Sequence, residues 1–247
     1  TTLTNNWTLI KIVKLFGALT PLEPRLAKKL VEPLTNIIKT TPAKSLLYEC
    51  LNTVSKGLLK HHSIVRLTLE KLRMFIENPD QNLKYLGLLG LNKILRTYPR
   101  IVADLKETIF ECLSDEDITI RLRALDLLTG VVNKKNIMSV VGKLMIHIHK
   151  SEGKYRNDVI EKTISTCNQQ NYKFIPNFKW YLATLVEMSE IQGMTHGRLV
   201  ASQLMDVLVR VKGIRERGVE SMIRLLGDSH LMNDEATDES MLQILHS

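Results

Sequence analysis

Residues 83–91, Leu83-Lys84-Tyr85-Leu86-Gly87-Leu88-Leu89-Gly90-Leu91, carry the pattern that decides the fold. Leu83, Gly87, Leu88 and Leu91 are spaced by four, one and three residues, which puts them on one stripe of a helix turning about 100° per residue. A strand would alternate with period two instead. The same pattern recurs at a shift of 37 residues in both directions, aligning Leu46, Leu83 and Ile120, then Cys50, Gly87 and Ala124. Leu51, Leu88 and Leu125 align next, followed by Val54, Leu91 and Leu128. The second position is small in every copy, which lets a neighbouring helix come close. A helical stripe recurring at this interval marks stacked helical hairpins, none of which encloses a core alone.

Working outward, a weaker copy shifted by 39 residues runs through Val159, Thr163, Ile164 and Cys167. Asp80 and Asp117 stand near helix starts, where an acid complements the positive end of the helix. Lys84 and Arg121 follow them by one turn, and each can pair with the acid that precedes it. Pro42, Pro79 and Pro99 precede or open apolar-periodic runs, where a missing amide donor costs nothing. Pro33 falls inside the run from Leu26 to Ile38 and is expected to kink or split that helix. The periodicity predicts helices near 5–18, 22–39, 43–58, 63–77, 80–97, 99–113, 117–132, 136–150, 156–169, 176–192, 197–212 and 214–227. No segment has the alternation or the Asn-Gly and Asp-Gly turns of a sheet. The expected fold is all-α, a HEAT/armadillo-like α-solenoid whose antiparallel helix pairs stack into a right-handed superhelix. It is read as a single segment over 1–247, with an acidic loop at 228–240 and the start of another helix at Met241.

Composition narrows the functional classes. Hydrophobic residues at 44% and charged residues at 24% describe an ordered globular chain. No run approaches the roughly 18 apolar residues of a membrane span, and the opening residues lack a signal core, so a cytoplasmic protein is expected. The first residue is not Met, which suggests a piece of something longer. Cys50, Cys112 and Cys167 are widely spaced among apolar residues and read as reduced core thiols. Asn6-Trp7-Thr8 matches a glycosylation sequon by chance. The net charge of +8 is uneven, because residues 228–247 hold five acids and no Lys or Arg. The remaining body is therefore strongly basic and suited to anionic membranes, acidic proteins or nucleic acid.

Chemistry-bearing constellations are missing from the sequence. His147 and His149 are two residues apart, so a helix points them to opposite faces and they cannot share an ion. His61 and His62 read as a solvated turn. Gly87-Leu88-Leu89-Gly90 lies in a helical stripe and reads as close packing rather than a nucleic-acid grip. Asp115, Glu116 and Asp117 read as helix capping. Neither a phosphate cradle nor a nucleophile elbow occurs, so no catalytic, metal or cofactor residue is assigned. Trp7, Trp180 and Tyr181 fall on apolar stripes and are read as core. Basic clusters remain as candidate partner-facing or membrane-facing residues: Lys11 and Lys14; Arg25, Lys28 and Lys29; Arg96 and Arg100; Lys134 and Lys135; and Arg210, Lys212, Arg215 and Arg217. Solvated helix faces are the plainer explanation of each. Aromatics do not interleave with them, which argues against nucleic-acid binding.

Residues 5–26, NNWTLIKIVKLFGALTPLEPRL, resemble the trunk of the adaptins, and in particular its delta-type large subunits. So do residues 80–88, DQNLKYLGL, and 120–128, IRLRALDLL. The resemblance extends to about residue 230, although the chain is shorter between Gly57 and Ser63 than the family leads one to expect. It implies a non-enzymatic scaffold of a heterotetramer with a beta-type large, a medium mu-type and a small sigma-type subunit. It also implies recruitment by an Arf-type GTPase to Golgi or endosomal membranes as a peripheral protein, and sorting of signal-bearing cargo toward lysosomes. The dileucine pocket shared with the sigma subunit is implied to lie before this segment. The competing expectation is a karyopherin-like or nucleic-acid-associated HEAT protein.

Overall fold

The computed structural model describes residues 5–191 and 196–227. Among these residues every regular element is helical. The α-helices are α1 (Asn6–Leu19), α2 (Pro24–Thr40), α3 (Lys44–Gly57), α4 (His62–Ile76), α5 (Gln81–Leu95), α6 (Pro99–Ala103) and α7 (Lys106–Glu111). They continue with α8 (Ile118–Gly130), α9 (Ile137–Lys150), α10 (Gly153–Tyr172), α11 (Phe178–Ser189), α12 (Gly197–Arg210) and α13 (Arg215–Gly227). Short 3-10 turns occupy Cys112–Ser114 and Lys212–Ile214. Contacts divide the chain into two compact units, Thr1–Val131 and Val132–Ser247. The expected acidic loop at 228–240 and the helix at Met241 lie outside the described residues.

In the first unit, α1, α3, α5 and α8 pack side by side in chain order, and α2 and α4 form the layer against them. All twelve repeat positions predicted to share a stripe, from Leu46 to Leu128, are buried. Gly87 explains the small position directly. A Cβ there would sit 3.0 Å from the Leu72 carbonyl oxygen and 3.1 Å from the Ile76 amide, both backbone atoms of α4. Gly17 plays the corresponding part between α1 and α3, where the Thr53 hydroxyl donates to the Val13 carbonyl at 3.1 Å.

Local chemistry sets the helix ends. Asn5, Glu23, Asp80, Asp117 and Asn177 each accept amide hydrogen bonds at the start of a helix, satisfying donors that the helix leaves open. Pro24 and Pro99 open α2 and α6, where proline costs no hydrogen bond.

Four expectations change. α2 runs unbroken through Pro33, whose ring lies on the exposed face of the helix. The single helix expected over 99–113 is divided, because Leu105 leaves helical geometry (φ −92, ψ 9) and its amide closes a three-residue turn on Val102. Trp7 is 70% exposed rather than core, since α1 turns Val13 and Gly17 toward α3 and leaves Trp7 and Leu15 on another side. Lys84 does not pair with Asp80, which is occupied in capping α5. Its amine instead crosses to Asp115 in the turn before α8, at 2.5 Å.

Asp115 is therefore a joint between repeats. Its side chain is only 8% exposed, and it accepts the Asp117 amide at 3.0 Å as well as the Lys84 amine. Burial on its own would raise its pKa; the hydrogen bonds from Lys84 and Asp117 and the charges of Lys84 and Arg121 outweigh burial and hold it below the ordinary carboxylate range.

The second unit repeats the theme less regularly. α10 packs on α9 and α12, and α11 on α12. Val159, Thr163, Ile164 and Cys167 are buried as their register predicts. α10 ends abruptly, with Gln170, Asn171 and Tyr172 at φ 51, 56 and 60, a left-handed run that non-glycine residues rarely adopt. Tyr172 pins it: its hydroxyl donates to Asp206 Oδ2 at 2.5 Å and accepts from Gln203, both on α12. Trp180 is half-buried and Tyr181 fully buried on α11.

Two outcomes are expected. Gly87→Val should lower unfolding stability by about 1–3 kcal/mol, because beside the Ile76 side chain it would meet α4 backbone that cannot step aside, as urea unfolding would measure. Asp115→Asn should cost about 1–3 kcal/mol near neutral pH. A depressed folded-state pKa stabilises above the unfolded value of about 3.9 and is lost as pH falls through the folded one. The difference between wild type and Asp115→Asn should therefore shrink on acidification below about pH 4.

Candidate functional site

Small-molecule chemistry finds little to work with. His147 pairs with the Tyr155 hydroxyl at 3.0 Å and His149 with Glu187 at 3.0 Å, so each binds a different neighbouring helix. His62 belongs to the first turn of α4 rather than to a free loop, and its Nδ1 lies 3.2 Å from the Tyr98 hydroxyl. Cys50, Cys112 and Cys167 are buried free thiols, which burial pushes up to about 12, 11 and 12 respectively. They are protonated packing groups, not nucleophiles. Among the described residues, no group of His, Cys, Asp and Glu is placed to hold a metal ion. No described helix is long and apolar enough to cross a membrane.

Surfaces are the remaining candidates. All thirteen basic residues singled out in the sequence are exposed. In the first unit the fold gathers them by edge. The turns that end α1, α3 and α5 lie side by side: a Cβ on Gly57 would overlap Thr20, and the Tyr98 hydroxyl donates to the Leu59 carbonyl. Arg25, Lys28 and Lys29 follow the first of these turns, and Arg96 and Arg100 flank Tyr98 in the third. Lys60 and Arg66, in and after the middle turn, complete the row and are exposed too. The sequence reading missed these two, although the 37-residue shift that superimposes Lys29 on Arg66 would have found one of them. Lys11 and Lys14 stand apart from this row, along α1.

The opposite edge of the same unit, where α4 and α7 hand over to α5 and α8, is acidic. It carries Glu77, Asp80, Glu111, Asp115, Glu116 and Asp117. Its cations are largely engaged: Arg73 pairs with Glu77 at 2.7 Å and Lys84 with Asp115. Only the α2–α3 turn departs from this rule, with Lys39 and Lys44 exposed beside it.

A third surface is the outer face of the α1, α3, α5 and α8 layer. α1 contributes the exposed Ile12, Leu15 and Leu19. Lys93 donates to Asn52 at 2.6 Å between α5 and α3; burial, and secondly the charge of Lys56, lowers its pKa. The Arg123 guanidinium lies 5.7 Å from the centre of the Tyr85 ring, linking α8 to α5. Apolar, aromatic and charged groups thus alternate across consecutive repeats.

In the second unit, Lys134 and Lys135 occupy the turn before α9. Part of the C-terminal cluster has internal work. Arg210 pairs with Asp206 at 2.7 Å, and Arg215 donates to the Leu208 and Val209 carbonyls at 2.8 and 2.6 Å, capping the end of α12. Lys212 and Arg217 stay exposed. A groove of about 520 Å³ between α11 and α13 is lined by Leu182, Val186, Arg217, Glu220 and the loosely paired Glu190 and Arg224.

Comparison with known proteins places this architecture. The family described as the adaptin N terminal region matches residues 1–245. The AP-3 complex subunit delta-1 of Bos taurus is 52% identical over 255 aligned residues, covering the whole chain and 21% of that protein. The AP-3 complex subunit delta of Dictyostelium discoideum is 50% identical, covering the whole chain and 22% of that protein. The chain thus spans about a fifth of the length of these relatives. A structure described as a homology model of the full-length AP-3 complex in an intermediate open conformation superposes with a TM-score of 0.69 at 24% identity, covering 98% of this chain and 46% of that one, which bears on the fold. The repeat register, the all-helical layers and the match across nearly every residue agree, and the chain belongs to the adaptin family, as a non-enzymatic segment of the N-terminal trunk of the AP-3 delta type.

Proposed function

We propose that this segment is a scaffold within a heterotetrameric vesicle-coat adaptor, holding partner subunits while cargo is sorted from Golgi or endosomal membranes toward lysosomes and related organelles. The observation that supports it most is the layer of α1, α3, α5 and α8. Its repeat positions stack in register, so the outer face is a continuous strip on which a protein can bind across several repeats. Mixed apolar and charged groups such as Ile12, Leu15, Lys93 and Arg123 suit a protein partner better than a small molecule. The proposed partners are the small sigma-type, medium mu-type and beta-type large subunits, with an Arf-type GTPase and sorting-signal cargo engaged by the assembly as a whole. The exposed basic residues are proposed as its partner-facing or membrane-facing surface, with peripheral attachment to the membrane and no nucleic acid.

Co-purification tests the reading. The full-length protein carrying this segment should bring down a sigma-type and a mu-type subunit from cytosol; recovery without either would defeat it. A karyopherin-like or nucleic-acid-associated role would appear instead as duplex binding that weakens steeply with salt.

A further inference from the structure

We infer that the basic edge of the first unit, formed by Arg25, Lys28, Lys29, Lys60, Arg66, Arg96 and Arg100, is an electrostatic docking surface for an anionic lipid bilayer. The inference rests on the adaptor reading only in taking the segment to work beside a membrane.

Helix stability does not account for these residues. A cation near the start of a helix opposes the positive end of its dipole; α4 has neither an acid in its first turn nor a side-chain cap, and α2 has the Glu23 cap alone. α2 places Arg25, Lys28 and Lys29 in its first two turns, and α4 is preceded by Lys60 and His61 without a side-chain cap. On the other edge α5 is capped by Asp80 and α8 by Asp117, while α3 starts there with Lys44 and no side-chain cap. On the basic edge exposed cations recur in three successive turns. The seven cations outnumber the acids near them. Glu23 is engaged with the Arg25 amide at 3.0 Å, and Glu32 and Glu70 lie further along α2 and α4. Asp104 is at the far end of α6.

The form of the edge favours a bilayer over a folded partner. Its cations are exposed and distributed over three turns, and the turns are tied to one another by Gly57 against Thr20 and by Tyr98 against Leu59 and His62. A row of long, exposed side chains matches a surface carrying many delocalised negative charges, where each Lys or Arg contributes additively. The acidic opposite edge, with Glu77, Asp80, Glu111, Glu116 and Asp117, would be repelled by the same surface and so fixes the orientation of the unit.

Vesicle flotation of the 247-residue chain tests this, using phosphatidylcholine alone and with phosphatidylserine at about one part in three. The wild type should float only with the anionic vesicles. The edge variant Arg25→Glu, Lys60→Glu, Arg100→Glu should bind at least about tenfold more weakly. A control with the same change in charge, Lys11→Glu, Lys39→Glu, Lys44→Glu, should change binding by no more than about twofold. The edge variant should also melt at the same temperature as wild type or higher, because acids replace cations at helix starts. A lower melting temperature would mean that the cations are structural and would overturn the inference, as would equal losses in both variants or failure of the wild type to float. Retained flotation combined with lost capture by immobilised polyglutamate would assign the edge to an acidic protein and also overturn it. Subunit co-purification is read separately, so failure of the lipid surface and failure of the adaptor reading remain distinguishable.

Discussion

The first unit depends on how closely its helices approach. At Gly87 the backbone of α5 lies against the carbonyl and amide groups of α4, at distances that leave no room for a side chain. Where the neighbour can accommodate one, the equivalent positions hold Cys50 and Ala124, both fully buried. Close approach brings the leucine and isoleucine stripes of consecutive hairpins into contact, and burial of that apolar surface is the main favourable term in the stability of such arrays. Hydrogen bonds between repeats, from Thr53 to Val13 and from Lys93 to Asn52, then fix the register that packing allows.

Register has an electrostatic consequence. Because hairpins of nearly equal length stack in parallel, everything in the turns that end α1, α3 and α5 falls on one edge, and everything in the turns before α5 and α8 falls on the other. A charge bias in the turns thus becomes a charge difference between edges. The acidic side is partly built into the fold through Lys84 and Asp115 and through the aspartate caps. Among the described residues the basic side shows no comparable ion pair, and its cations are exposed.

The second unit solves the same packing problem with less regular means. Its turn after α10 is held in left-handed geometry by Tyr172, at a cost of order 1–3 kcal/mol per strained residue, and the hydroxyl network with Asp206 and Gln203 offsets that strain. Arg210 and Arg215, prominent in the sequence as charges, are used here to hold Asp206 and the end of α12.

The sequence by itself determined the helical class, the repeat interval, the buried stripe and most helix positions, because apolar spacing and capping residues are local properties that a 3.6-residue period exposes. It also led to the family, through short runs whose residues are distinctive. It could not place Trp7, since an apolar residue on a helix is core only if something lies over it. Nor could it pair Lys84, whose acid 31 residues away proved nearer than the one four residues away. The basic clusters were visible one by one, but their alignment into a row with Lys60 and Arg66 was not. Only tertiary structure decided these points, because each depends on which turns are brought together across repeats, and that distance is set by packing rather than by separation along the chain.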